Sequence, residues 1–275
     1  MNTSLLAEEI ARYTLATGAA AAHRLEVLHE IWGSGTRQTA ISAGLSPGMK
    51  VADFGCGVGT VSVLFSEIVG GEGKVTALDM SQAQLEQARA RAAKAGHSNI
   101  EFIEGNATAT DLPDASFDFV YCRFLLLHLP DPMAGLTEMR RVLRPGGTLF
   151  VEDGDLSSGY TVPPSAIDRF SELYPKLGVA RGLDYTLGRR VHQLVRDAGF
   201  QELAVRFNQP AYFHGRERRA FEWSLEEAAD ALISAGLCSR EELDAILSEM
   251  RTAAADPAIL VAVPRMSLVT ARKPE

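Results

Sequence analysis

In the first part of the chain, apolar residues return every three or four positions. Leu5, Leu6, Ile10 and Tyr13 fall on one side of a helix, and Leu25, Leu28 and Ile31 on one side of another. Gly18 marks the break between them. A third helix is expected around Thr36–Ala43, ended by Gly44 and followed by a Pro47-Gly48 turn. From residue 50 the rhythm changes. Lys50–Phe54, Lys74–Asp79, Ile100–Glu104, Phe117–Cys122 and Gly147–Asp153 are short runs rich in Val, Phe and Ile, separated by helical stretches at 60–69, 82–95 and 134–143. Strands and helices alternating at this spacing predict an α/β fold: a mostly parallel sheet with right-handed crossovers. Ligands of such sheets sit at the carboxyl ends of the strands, near the point where strand order reverses.

Residues 155–187 lose this rhythm and carry Pro163-Pro164 with several aromatics. A helix over 189–199, a strand over 200–207, two or three amphipathic helices within 216–252 and an extended segment at 258–271 follow. The chain therefore divides into an N-terminal helical lid (1–45), a ligand-binding core (46–155), a cap insertion (156–187) and the end of the core sheet (188–275). A helical insertion at about 214–255 interrupts the last of these.

Composition narrows the function classes. The formal net charge of −8 argues against a nucleic-acid surface, which carries a concentrated positive footprint. Arg216, Arg218 and Arg219 alternate with Glu217 and Glu222, the pattern of a solvated helix face. Cys56, Cys122 and Cys238 stand far apart without a C-x-x-C spacing, so neither a metal site nor a disulfide framework is indicated, and a reducing cytoplasm fits. Neither a secretory leader nor an apolar run of membrane-spanning length is legible, so no membrane association is expected.

The chemistry concentrates just after the strands. Gly55, Gly57 and Gly59 lie between a strand and a helix, where glycine lets the backbone turn tightly and approach a nucleoside without a Cβ clash. A dinucleotide fold would space them G-x-G-x-x-G. Here the spacing is G-x-G-x-G, Cys56 lies inside the loop, and Asp53 precedes it by two residues. Asp53 can accept hydrogen bonds from loop amides or, through water, from a cationic amino group. Asp79 ends the second strand, where a carboxylate can bind both hydroxyls of a ribose. It can also cap the next helix, although Ser81 is the better cap.

Together, Val51–Thr60, Ala77–Ser81, Gly105-Asn106-Ala107, Phe117–Arg123 and Arg141–Gly147 resemble the class I S-adenosylmethionine-dependent methyltransferases, in particular the UbiE-like, type 11 small-molecule group. The resemblance implies a Rossmann-like seven-stranded sheet with helices on both faces, N-terminal helices and a helical cap. It also implies S-adenosyl-L-methionine as cofactor, with S-adenosyl-L-homocysteine as product. On this reading Gly55–Gly59 pack against the amino-acid part and ribose, Asp79 holds the ribose hydroxyls and Met80 flanks the adenine. Asn106, Ala107 and Thr108 follow the third strand, where relatives usually place an acid that reads the adenine amino group. The carbonyl of Asn106 can accept the same bond. Cys122 and Arg123 would lie beside the methyl donor. Tyr13 would close over the methionine end, or simply pack in its helix. An Asn/Asp-Pro-Pro-Tyr signature, the mark of nucleic-acid amino-methyltransferases, is replaced by Tyr121-Cys122-Arg123-Phe124, which favours a small-molecule methyl acceptor.

His128 is the candidate general base by location, or a packed histidine supporting the loop after the fourth strand. Glu152, Asp153 and Asp155 follow the fifth strand and can reach a substrate or cap their loop. Tyr160, Tyr174 and Trp223, with Phe170, Tyr212 and Phe213, gather in the late insertions as a substrate pocket or a satellite core. Cys122 reads as a spectator thiol rather than a nucleophile. The N-terminal helix is a lid or a homodimer contact. A cofactor-binding protein of this fold with another activity, or with none, is the competing reading.

Overall fold

The structure is a computed structural model and describes residues 19–275. Five strands build the first half of the sheet: β1 (Lys50–Phe54), β2 (Lys74–Asp79), β3 (Ile100–Glu104), β4 (Phe117–Arg123) and β5 (Leu143–Asp155). They are followed by β6 (Tyr160–Val162), β7 (Gln201–Asn208), β8 (Ala211–Tyr212), β9 (Leu260–Ala262) and β10 (Arg265–Arg272). The main sheet has seven strands in the order β3-β2-β1-β4-β5-β10-β7, parallel from β3 to β5. β10 runs antiparallel between β5 and β7. Strand order reverses between β1 and β4, the point at which an open α/β sheet leaves a crevice for its ligand. The strands there are buried through Val51, Ala52, Phe54, Phe119, Val120 and Cys122, which explains their unbroken apolar runs.

Three expectations change. The expected helix over Thr36–Ala43 is not separate: one helix runs from Ala19 to Ser42. It passes through Gly33 and Gly35, because glycine inside a helix costs only about 1 kcal/mol and both positions are crowded. A Cβ at Gly35 would come within 2.6 Å of Asn208 Nδ2, and one at Gly33 within 2.7 Å of the His29 ring. The cap insertion is more regular than its prolines suggest. It contains the helix Arg169–Ala180, with Pro175 inside it and Phe170, Leu173, Tyr174 and Leu177 buried. Finally, the expected extended segment 258–271 divides at Pro264. β9 joins β6 and β8 in a small separate sheet, while β10 enters the main one.

The helical insertion supplies Ala220–Glu227, Ala229–Ser234 and Arg240–Ala255. Arg24 ties it to the N-terminal helix. Its Nε donates to both carboxylate oxygens of Glu227 at 3.0 Å, and the two side chains are only 4% and 9% exposed. Among the described residues no helix is long and apolar enough to cross a membrane.

Candidate active site

The glycine loop is the turn out of β1. Gly55, Gly57 and Gly59 have φ of 69°, 54° and 73°, a region that costs other L-residues roughly 1–2 kcal/mol. Gly59 caps the helix Thr60–Val69 without a side-chain bond, so the helix's first amides are left for water or a ligand. Asp79 holds the loop in place: its Oδ2 accepts from Gly57 N at 2.8 Å and its Oδ1 from Ser81 N at 2.9 Å. Ser81 Oγ accepts from Gln84 N and caps the helix Gln82–Lys94. Asp79 is therefore free of capping duty and faces the loop.

A cavity lies over this loop and brings together eight of the residues singled out by the sequence. Asp53, Gly55, Cys56, Gly57, Asp79, Arg123, His128 and Tyr174 all line it. Asp53 is 2% exposed, and its Oδ2 accepts from Ser62 Oγ at 2.6 Å. Burial pushes its carboxyl up to about 6, opposed by the Ser62 hydrogen bond and the Arg123 charge. Burial also raises Asp79, against the pull of its backbone hydrogen bonds. Burial thus disfavours the charge on both carboxyls, and a cationic or hydroxylated ligand entering the cavity favours it. The Cys56 thiol is pushed well up by burial and the neighbouring acids, which removes it as a nucleophile at neutral pH.

His128 ends a short 3-10 turn over Leu126–His128. Burial lowers its imidazole to about 3, with the charges of Arg24 and Arg181 adding to the effect, so the ring is neutral at physiological pH. It meets Tyr185 edge-on at 5.3 Å and continues a line of rings. Tyr185 lies 5.1 Å from Tyr174, Tyr174 stacks on Phe170 at 4.7 Å, and Phe170 lies 4.7 Å from Phe221. This aromatic wall comes from the cap and the helical insertion, not from the core sheet.

Other singled-out residues lie elsewhere. Asn106 Oδ1 accepts from Thr108 N and Thr108 Oγ1, both at 2.8 Å, so Asn106 and Thr108 brace their own turn. Ala107 and Cys122 are packed in the hydrophobic core, and Met80 sits between Asp79 and the helix cap without lining the cavity. Asp153 is fully buried outside the cavity lining, where its Oδ2 accepts from Leu127 N at 3.3 Å. Glu152, also fully buried, accepts from Thr36 Oγ1 at 2.8 Å and from the Tyr121 hydroxyl. Asp155 accepts from Ser157 and pairs with Arg189 at 2.8 Å. Tyr160 is 51% exposed on the small sheet, and Trp223 packs edge-on against His23 at 4.8 Å. Tyr13 lies outside the described residues.

Several lining residues carried no signal of their own in the sequence. Arg24, Leu25, Leu28 and Trp32 reach the cavity from one face of the N-terminal helix, and Gln84 and Ser224 from two others. Helical spacing was the available clue for the first four. Nothing in the sequence says which partner that face meets.

Known proteins resemble the chain in the same region. A family model for a methyltransferase domain matches residues 51–147. The ubiquinone/menaquinone biosynthesis C-methyltransferase UbiE of Shewanella halifaxensis is 32% identical over 191 residues, 64% of this chain and 74% of that protein. In fold, the chain is similar to the YcgJ protein of Bacillus subtilis, with a TM-score of 0.60 at 17% identity over 90% of this chain and 99% of that one. It is also similar to phosphoethanolamine N-methyltransferase 2 of Haemonchus contortus in complex with S-adenosyl-L-methionine. There the TM-score is 0.53 at 19% identity, over 92% of this chain and 53% of that one.

Proposed function

Since this chain belongs to the UbiE-like class I S-adenosylmethionine-dependent methyltransferases and is an enzyme of that activity, we propose that its acceptor is a small apolar or planar molecule carrying an O, N or C nucleophile. One observation carries this reading. The glycine loop with its two acids and the buried rings Phe170, Tyr174 and Phe221 line the same cavity. The relative from Shewanella is named for C-methylation in quinone biosynthesis, which favours a ring carbon as the nucleophile here.

The residues present fit the cofactor. A Cβ at Gly57 would lie 2.9 Å from Gln84 Oε1, so glycine keeps that part of the cradle open. Gly55–Gly59 would take the ribose and amino-acid part, Asp79 the ribose hydroxyls and Asp53 the amino group. Once bound, the cofactor supplies a methyl group on a positively charged sulfur. Methyl transfer is an in-line displacement, so the protein contributes mainly alignment and exclusion of water. The aromatic wall holds a planar acceptor by stacking. Neutral His128, beside that wall, accepts a hydrogen bond from the acceptor and fixes its direction. Arg24 and Glu227 hold the N-terminal helix over the cavity as a lid.

The net charge of −8 and the aromatic lining support a small-molecule partner over a nucleic acid. Three free cysteines support a cytoplasmic location. A homodimer contact through the N-terminal helix belongs to the same reading. The test is release of S-adenosylhomocysteine over a panel of hydroxylated aromatics, aliphatic amines and nucleic acids, with the methylated product identified by mass spectrometry. Turnover of planar aromatics is expected. Turnover confined to hydrophilic amines or nucleic acids would overturn the proposal.

A further inference from the structure

The main sheet ends on one side at β7, whose outer edge has no strand beside it among the described residues. Such an edge offers a row of unpaired backbone N–H and C=O groups to an approaching extended segment. The faces of β7 are thinly covered too: Val205 is 40% exposed and Phe207 62%. Arg265 lies over the Phe207 ring at 4.8 Å and still leaves most of that side chain in water. The same alternation continues beyond the strand, where Gln209, Ala211 and Phe213 are exposed as well. Apolar side chains gathered on an open edge mark a surface that meets another chain.

Two charges decide which chain that is. Glu202 and Arg206 are exposed on β7, and among the described residues neither has an ion-pair partner. The register with β10 shifts between Ala204 and Gln201, and Glu202 there takes φ of 52°. A bulge and a charge on an edge strand both deter pairing with arbitrary segments. A second copy of this chain is different. Glu202 and Arg206 stand two residues either side of Ala204, and Leu203 and Val205 lie between them. An antiparallel copy of β7, related by a two-fold axis through Ala204, therefore sets each Arg206 alongside a Glu202 and each Val205 alongside a Leu203.

We infer that β7 is a homodimer interface, at which two copies pair antiparallel along this edge with Arg206 of each against Glu202 of the other. The pairing joins the two main sheets into one and covers Val205 and Phe207. The inference rests on the homodimer reading above and places the contact on the strand that borders the N-terminal helix. Asn208, the last residue of β7, lies against that helix at Gly35.

Sedimentation equilibrium of the full chain over a concentration series reads the dimer constant directly. The wild-type protein is expected to dimerise. Arg206→Glu places two like-charge contacts in the interface and should weaken the dimer by about tenfold or more. Glu202→Arg combined with Arg206→Glu restores the opposite pairing and should recover the dimer. Val205→Lys should weaken it as well. All these positions are exposed, so melting temperatures close to wild type show that the variants fold. An Arg206→Glu dimer as tight as wild type overturns the inference, as does a double variant no tighter than Arg206→Glu alone. A dimer untouched by the β7 changes but lost in Ile41→Lys, on the exposed side of the N-terminal helix, overturns it while leaving the homodimer reading in place. A wild-type chain that stays monomeric throughout removes both.

Discussion

Asp79 Oδ2 accepts the amide hydrogen of Gly57 at 2.8 Å, so the acid that ends β2 also holds the middle glycine of the loop. Removing it takes away a ligand contact and a loop brace together. Asp79→Ala is expected to weaken S-adenosylhomocysteine binding by about tenfold or more. Asp79→Asn keeps one acceptor for the loop and should melt close to wild type while still losing affinity. Calorimetry with thermal melts separates the two effects.

Gly59 has φ of 73°, and a Cβ there would lie 2.8 Å from Ala88 Cβ and 3.2 Å from Ala88 Cα. Gly59→Ala therefore meets an unfavourable backbone conformation and a helix that cannot step aside. A loss of about 2 kcal/mol or more is expected, measured by urea denaturation.

The Arg24–Glu227 pair is almost wholly buried, so each single change strands a charge. Arg24→Met and Glu227→Leu should each cost about 3–5 kcal/mol, and the double replacement Arg24→Met with Glu227→Leu should recover most of the loss. A double-mutant cycle by denaturant titration checks this. Additive losses would mean that the pair is not coupled.

Asp153 and His128 make stability depend on pH with opposite signs. Burial raises Asp153 from 3.8 to about 8, so its contribution is complete below 3.8 and is lost as pH rises through about 8. His128 is lowered from 6.5 to about 3; its contribution is present above 6.5 and is lost as pH falls toward 3. Asp153→Asn should therefore flatten the decline in melting temperature between pH 6.5 and 8.5. A variant that declines as steeply as wild type would contradict the assignment.

Because the His128 ring is neutral above about pH 3, it should leave no inflection near 6.5 in the pH dependence of kcat. His128→Ala is expected to lower kcat by about tenfold, with part of the loss recovered in His128→Asn, which restores an acceptor. Full turnover by His128→Ala would remove the residue from the reaction.

The cofactor end of the site was legible in the sequence because its signals are local. A turn with three positive-φ positions demands glycine, and a strand buried on both faces reads as an apolar run. The acids Asp53 and Asp79 stand where such strands end. Asn106 was less legible, since its side chain folds back on Thr108, a choice that spacing cannot reveal. The separate helix expected over Thr36–Ala43 is continuous with the one before it, and the crowding of Gly35 by Asn208 of β7 exists only once the sheet and helix meet.

By itself, then, the sequence determined the alternating strands and helices, the nucleoside loop and the methyl donor that fits it. Only the tertiary structure decided what faces that loop. Trp32, Arg123, Phe170 and Phe221 come from distant parts of the chain and share one cavity. Asp153, near the carboxyl end of β5, is turned away beneath Leu127. The physical reason is that backbone conformation is set by neighbours along the chain, whereas a pocket wall is set by which helix faces find each other when the core is buried.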